Sequence, residues 1–388
     1  MNYVHLSPHF PPNYYLFSVH LSRLGAQVLG LADEPYESLR PELRSALVKY
    51  YKVDDLHNYD QLLRACGYFT HRYGKLDRVD SHTEYWMETE ACLRTDFNIP
   101  GPKRSDLEAI KRKSRMKCIF EDAGVAVARG EVVHTIEEAR GFIDGAGYPV
   151  VAKPDVGVGA SNTFRVNNAR DLERFFATKP PVDYLMEEFV DGPILTFDGL
   201  TDKDGNLVFS SSLRYSQNIM EIVNEDQDIY YYTLREIPAD LEEAGRRVLH
   251  AFDVRERFFH FEFFRSDRDG RLIALEVNMR PPGGPTVDLW NYANDIDMYW
   301  EWANIVVNNR FVEQYTHKYH ACYVGRKHNK HYTHSHAEIM EAFGYCIVNH
   351  TEMPVVFSLA MGNYAYILTT PELAEAVAAA EFILEREN

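Results

Sequence analysis

Residues 260–284 read H-F-E-F-F-R-S-D-R-D-G-R-L-I-A-L-E-V-N-M-R-P-P-G-G, and no other stretch limits the possible folds of this chain so strongly. Two apolar runs flank an Asp269-Gly270 turn signal, which predicts an antiparallel hairpin. Strand side chains alternate with period 2, so Glu276, Asn278 and Arg280 share one face and Leu275, Val277 and Met279 the other. On the partner strand Glu262 falls on a face with Phe264 and can meet Glu276 across the ladder. Two buried carboxylates that close together repel. A divalent cation such as magnesium or manganese would remove the conflict, with the Asn278 amide as a further hard-oxygen donor. Read locally, the residues also fit a Glu276–Arg280 salt bridge with Asn278 as a structural hydrogen bonder. Arg280, ahead of Pro281-Pro282-Gly283-Gly284, suits a guanidinium clamp on a transferring phosphoryl group or an acyl phosphate. Gly283 and Gly284 then let a substrate approach the backbone.

A hairpin of this kind needs a scaffold, and the 388 residues supply enough chain for roughly two or three domains. Apolar residues form 45% and charged residues 26%, the balance of a folded globular protein. The net charge of -17 argues against a nucleic-acid surface. No apolar run reaches the length of about 18 residues that a membrane span needs, and the start M-N-Y-V-H-L-S-P has no signal-peptide pattern, so a cytoplasmic protein without membrane or nucleic-acid partners is expected. Five cysteines without a C-x-x-C pair read as free thiols.

The chain opens with a β-α-β pattern lacking G-x-G-x-x-G, and I-P-G-P at Ile99 to Pro102 breaks it. A helix is predicted from Asp106 to Gly124, a hairpin turn at Asp204-Gly205, a helix over Leu289 to Asn308, a strand at P-V-V-F-S-L, and a final helix from Pro371 to Arg386. Y-P-V-V-A-K-P-D-V-G-V-G-A-S, Tyr148 to Ser161, ends an apolar strand in Lys153 and continues into a loop with Gly157 and Gly159. Loop N–H groups freed by glycine cradle phosphate oxygens, and a lysine at the strand end adds fixed charge. An ordinary strand exit with a solvent lysine fits the same letters. M-E-E-F-V, Met186 to Val190, reads either as an edge strand or as a hinge whose backbone reads adenine.

Taken in order, these motifs resemble the ATP-grasp superfamily, of the carboxylate–amine or carboxylate–thiol ligase type, with biotin carboxylase-like and amino-acid ligase-like nucleotide-binding domains. The resemblance covers roughly Lys113 to Val307 and implies an α/β chain, α+β in its catalytic part. The implied division is an N-terminal α/β domain (1–102), a helix and lid subdomain (103–185), a catalytic core (186–310) and a C-terminal closing subdomain (311–388). By the same resemblance Lys113, Lys153, Gly157, Gly159 and Ser161 would hold the phosphates of ATP. Glu187, Glu188, Phe189 and Val190 would form the adenine hinge, and Glu262, Glu276 and Asn278 would ligate Mg2+ (or Mn2+). Arg280 and Lys153 would act in catalysis. Arg280, Gly283, Gly284 and Arg326 would face the substrate, Arg326 as the grip on a substrate carboxylate.

The implied reaction joins a small carboxylate to an amine through an acyl phosphate, releasing ADP and phosphate. A thioester-forming or acyl-phosphate-forming enzyme and a non-catalytic ATP-binding regulator are the alternatives, and frequent dimers in the family make a homodimer one expectation. The pattern departs from the family at Ile194, where many relatives carry a glutamate; either the ribose or substrate contact then comes from elsewhere, such as Glu187 or Asp198, or that binding is weaker. The segment 317–336, with His317, His320, His328, His331, His334 and His336, is open to a metal site, a polar lid or an interface.

Overall fold

The computed structural model describes residues 1–157, 162–217, 222, 224 and 226–387. Gly159 and Ser161 lie outside the described residues.

The first sheet is parallel, with order β3-β2-β1-β4, built from β1 (Asn2–Leu6), β2 (Gln27–Ala32), β3 (Leu47–Lys52) and β4 (Arg78–Asp80). The helices Tyr15–Arg23 and Tyr59–Tyr73 provide the crossovers that parallel strands require. The second sheet is antiparallel, with order β5-β8-β6-β7, from β5 (Gly130–Val133), β6 (Val150–Pro154), β7 (Phe164–Val166) and β8 (Tyr184–Glu188). One of its faces is covered by the helices Ile136–Ala146 and Ala169–Thr178, whose Ile143, Leu172 and Phe175 share an apolar cluster with Val150 and Ala152.

The third and largest sheet runs β14-β13-β9-β11-β12-β15-β17-β16, with β10 paired to β9. Its strands are β9 (Ile194–Thr201), β10 (Leu207–Ser211), β11 (Leu213–Tyr215), β12 (Ile229–Thr233), β13 (Phe258–Arg265), β14 (Leu272–Asn278), β15 (His320–Arg326), β16 (Ile347–Glu352) and β17 (Tyr364–Thr370). The helix Ala239–Ala251 packs directly on it because Gly245 carries no side chain: a Cβ there would stand 2.2 Å from the Phe197 ring. The C-terminal strands continue this large sheet through the β12–β15 pairing. The N-terminal part shares a core with the rest as well, since Tyr3, Phe17 and Leu21 pack in one cluster with Phe258, Trp290 and Trp302.

Three local expectations are corrected. The helix predicted from Asp106 is two, Leu107–Lys111 and Lys113–Asp122, separated by extended Arg112. Leu289 to Asn308 likewise divides into Thr286–Asn294 and Met298–Asn308, broken at Asp295, which adopts a left-handed conformation. The predicted strand P-V-V-F-S-L is a 3-10 turn, Val355–Phe357, followed by the short helix Ser358–Met361. That segment caps the β16–β17 hairpin, where Phe357 stacks on Phe10 and Val355 and Val356 stay exposed, so no ladder partner is there to hold it extended.

Candidate active site

The second and third sheets face each other across a cavity of about 250 Å³ lined by Lys113, Lys153, Glu187 to Val190, Glu262, Glu276, Asn278, Arg280 and Gly283. The fold thus brings residues far apart in sequence into one cleft.

On the large sheet, β9, β13 and β14 present a grid of polar side chains. Glu262 pairs with Thr196 on one side and Glu276 on the other; His260 pairs with Asp198 and Asn278. Partners across a ladder share a face, so all six point the same way. Beyond Glu262 the register shifts, so that Phe263 pairs with Ala274 and Phe264 with Ile273. This bulge corrects the simple alternation: Leu275 lines the cleft together with Ile273 and Ala274, while Val277 lies in the core with Phe261 and Phe263. Glu262 and Glu276 are directly opposed, and each carboxylate has a neighbouring donor. Lys113 Nζ lies 3.2 Å from Glu276 Oε2, and His260 Nε2 lies 3.1 Å from Glu262 Oε1. Burial pushes the Glu262 carboxyl up, but His260, Arg280 and Lys113 outweigh it and hold it below its ordinary value. Among the described residues no cluster of three or more His, Cys, Asp or Glu could hold a metal ion. Two carboxylates and an amide oxygen nevertheless fit a cation such as magnesium, which is commonly held by one or two carboxylates plus substrate phosphates. In that set Asn278 Oδ1 also accepts from Arg280 Nη2 at 3.2 Å.

Across the cleft, Glu187 at the end of β8 accepts from two lysines. Lys153 Nζ and Lys117 Nζ each stand 2.5 Å from one of its oxygens. Burial would raise Glu187, yet Lys153 and then Lys117 hold it below the ordinary carboxylate value. Lys117 matches none of the sequence motifs above; its place one helical turn after Lys113 is the signal that marks it. Lys113 Nζ also donates to Gly157 O at 2.7 Å, tying the helix Lys113–Asp122 to the loop after β6. The anchor is Asp155, fully buried, which accepts from Ser114 N at 2.7 Å and from Arg112 Nη1 at 2.8 Å.

The remaining expected residues divide. Phe189 and Val190 line the cleft, and Phe189 lies under the Arg165 guanidinium at 4.1 Å. Glu188 is pinned by Arg129, whose N and Nε both donate to it at 2.9 Å. Gly284, at φ 64°, touches Met361, whose Cε would lie 2.2 Å from a Cβ added there. Ile194 lines the cleft as an apolar side chain. Asp198 is fully buried and engaged by Thr196 and His260, so it has no oxygen free for a ribose. Arg326 is not brought to the cleft: its Nε donates to Ile383 O at 2.7 Å and its guanidinium lies over the Tyr332 ring. Its role is to hold the C-terminal helix Leu373–Leu384 against β15. The histidines of 317–336 are dispersed among separate partners, His317 on Asn294, His320 on Thr233 O, His334 on Glu385 and His336 on Tyr366.

An antiparallel lid sheet closing on a larger sheet that carries paired carboxylates, with basic residues from both sides of the cleft, defines the ATP-grasp class of architecture. Residues 146–288 match the ATP-grasp domain family. The L-arginine-specific L-amino acid ligase of Bacillus subtilis is 25% identical over 261 residues, covering 61% of this chain and 61% of that protein. The carbamoyl phosphate synthase large chain of Mycobacterium sp. (strain JLS) is 27% identical over 211 residues, 50% of this chain and 18% of that one. The match thus spans less than two thirds of either relative. Among solved structures, an L-amino acid ligase from Bacillus licheniformis superposes with a TM-score of 0.76 at 15% identity, covering 100% of this chain and 99% of that one. The biotin carboxylase domain of the 2-oxoglutarate carboxylase of Hydrogenobacter thermophilus, solved as a dimer with MgADP, ADP and bicarbonate, gives 0.69 at 17% identity, covering 98% and 89%. At these identities the structures establish a shared fold. Residues 146–288 thus carry the sequence pattern of an ATP-grasp domain, and the chain as a whole shares its fold with these ligases and carboxylases.

Proposed function

We propose that this protein is an ATP-dependent ligase that joins a small carboxylate, such as an amino acid, to an amine through an acyl phosphate. The observation that carries the reading is the opposed Glu262–Glu276 pair with Arg280 and Lys113 beside it in one cleft, faced by Lys153, whose partner Glu187 also holds Lys117. In the reaction a substrate carboxylate oxygen attacks the γ-phosphorus of ATP and ADP leaves. The amine nitrogen then attacks the acyl carbon, phosphate departs, and the nitrogen loses a proton.

Each residue has a part in that sequence. The lysines neutralise phosphate charge, and burial already pushes Lys117 below its ordinary value, Glu187 opposing, so a further anion nearby favours its charged form. Phe264, Ile273 and Phe189 give the base an apolar bed. Glu262, Glu276 and Asn278 would hold Mg2+, which when bound neutralises the β- and γ-phosphate oxygens. Arg280 donates to Pro281 O at 2.8 Å and to Asn278 Oδ1, and its Nε lies 3.5 Å from Glu84 Oε2, so its fork is held in place at the wall of the cleft. Arg280→Lys loses that fork, and kcat is expected to fall about 10²-fold, read in steady-state ADP release.

The test is ADP and phosphate release from Mg-ATP, screened against pools of amino acids and small carboxylates with mass analysis of the product. Release that requires one acid and one amine, with an amide formed, supports the reading. ADP with a hydroxylamine-trapped acyl phosphate and no amide points to an acyl-phosphate-forming enzyme. ATP binding without stimulated release overturns the ligase reading in favour of a regulator. Dimer formation, known from the biotin carboxylase relative, is checked by sedimentation.

A further inference from the structure

We propose that His260 is a positioning residue of the candidate metal centre, holding one oxygen of Glu262 so that the other is left for the cation. This rests on the Mg-nucleotide reading above. Three strands combine to place it. On β9, Thr196 Oγ1 accepts from Leu213 N at 2.9 Å, which turns its hydroxyl proton toward Asp198 Oδ2 at 2.7 Å. The second oxygen, Asp198 Oδ1, stands 2.7 Å from His260 Nδ1, so this ring nitrogen is the donor to a carboxylate that is already an acceptor on its other side. The ring is thereby fixed in plane, and its far nitrogen stands 3.1 Å from Glu262 Oε1, so that a ring facing a carboxylate oxygen on each side donates from both nitrogens.

Thr196 and Asp198 are fully buried and His260 is 3% exposed, so water does not compete for these contacts. Without the imidazole, Glu262 is free to turn both oxygens toward Glu276, directly across the ladder, and the carboxylates repel. A histidine two residues before a strand carboxylate shares its face by alternation, but its engagement by Asp198 depends on the neighbouring strand.

The experiment compares His260→Gln, whose amide reaches the position of Nε2, with His260→Asn, which reaches only that of Nδ1. Mn2+ binding to the full-length protein is measured by electron paramagnetic resonance with ADP present. His260→Asn is expected to weaken Mn2+ binding about 10–100-fold. His260→Gln should recover most of the loss, while ADP binding in the absence of metal stays within about twofold of wild type for both. In turnover, the Asn variant should raise the apparent KM for Mg2+ by a similar factor and leave kcat at saturating Mg2+ within about threefold. Asp198→Asn, which removes the carboxylate behind the ring, is the second variant should His260→Asn not fold, and should weaken Mn2+ roughly 10-fold. Wild-type Mn2+ affinity in His260→Asn or Asp198→Asn overturns the role of His260 alone. A wild-type protein that binds no Mn2+ with ADP overturns the nucleotide reading and this proposal with it.

Discussion

Replacing Glu276 by Ala is expected to lower substrate-dependent ADP release about 10³-fold or more, with the protein still folded. The carboxylate has two jobs at one point. It faces Glu262 across the ladder, where a cation would sit, and its Oε2 stands 3.2 Å from Lys113 Nζ. Truncation removes half of the paired charge and leaves the Lys113 ammonium with the Gly157 carbonyl as its remaining anchor. Both losses fall on the transferring phosphoryl group, where preorganised charge is worth most. The side chain is only partly buried, so truncation leaves no large cavity in the core, and thermal unfolding should move little. Glu276→Gln separates charge from shape: it keeps the hydrogen-bonding reach and should still lose most of the rate. Turnover within tenfold of wild type in both variants, at saturating Mg2+, would sink the assignment of Glu276 to the metal centre.

Arg94→Met is expected to destabilise the protein by roughly 3–5 kcal/mol. The Arg94 side chain is 1% exposed and Nη2 donates to Asp80 Oδ1 at 2.6 Å, Glu90 Oε2 at 2.7 Å and Val79 O at 2.7 Å. Without it Asp80 keeps Arg257, at 3.2 Å, and Glu90 keeps Ser81, so two buried carboxylates remain with reduced compensation. Burial would push the Asp80 carboxyl up; Arg94 and then Arg257 outweigh it and hold it below the ordinary value. A depressed carboxylate contributes stability above its unfolded value of about 3.9 and loses it as the pH falls through the folded value. Asp80→Asn should therefore flatten the acid side of the stability profile.

The network also reaches the active site, because Arg257 Nη1 donates to Met279 O at 3.1 Å, next to Asn278. Scanning calorimetry at neutral pH should show the Arg94→Met transition lowered by on the order of 5–10 °C. An unchanged transition would mean that the pair contributes nothing net beyond its own desolvation cost.

Much of this site is legible in a single sequence because its parts are local. The Asp-Gly turn and period-2 alternation make the hairpin and its polar faces legible, Glu262 on one strand and Glu276, Asn278 and Arg280 on the other, while the bulge next to Glu262 is what sets it directly against Glu276. A strand that ends in lysine before a glycine-bearing loop is equally local, and Lys153 lines the cleft.

What only the tertiary structure decided is non-local. The bulge after Glu262 moved Leu275 into the cleft, since one extra residue on a strand reverses the alternation beyond it. Asp198 joined His260 across 62 residues because β9 is the strand that pairs with β13, a choice no short window encodes. Lys117 gained its place from Glu187 on the facing sheet, and Arg326 went to the last helix because β15 runs beside it. Alternation states which side chains share a face. Which strand or helix comes to lie against that face is decided by the burial of the whole core, and that sets what each polar group must satisfy.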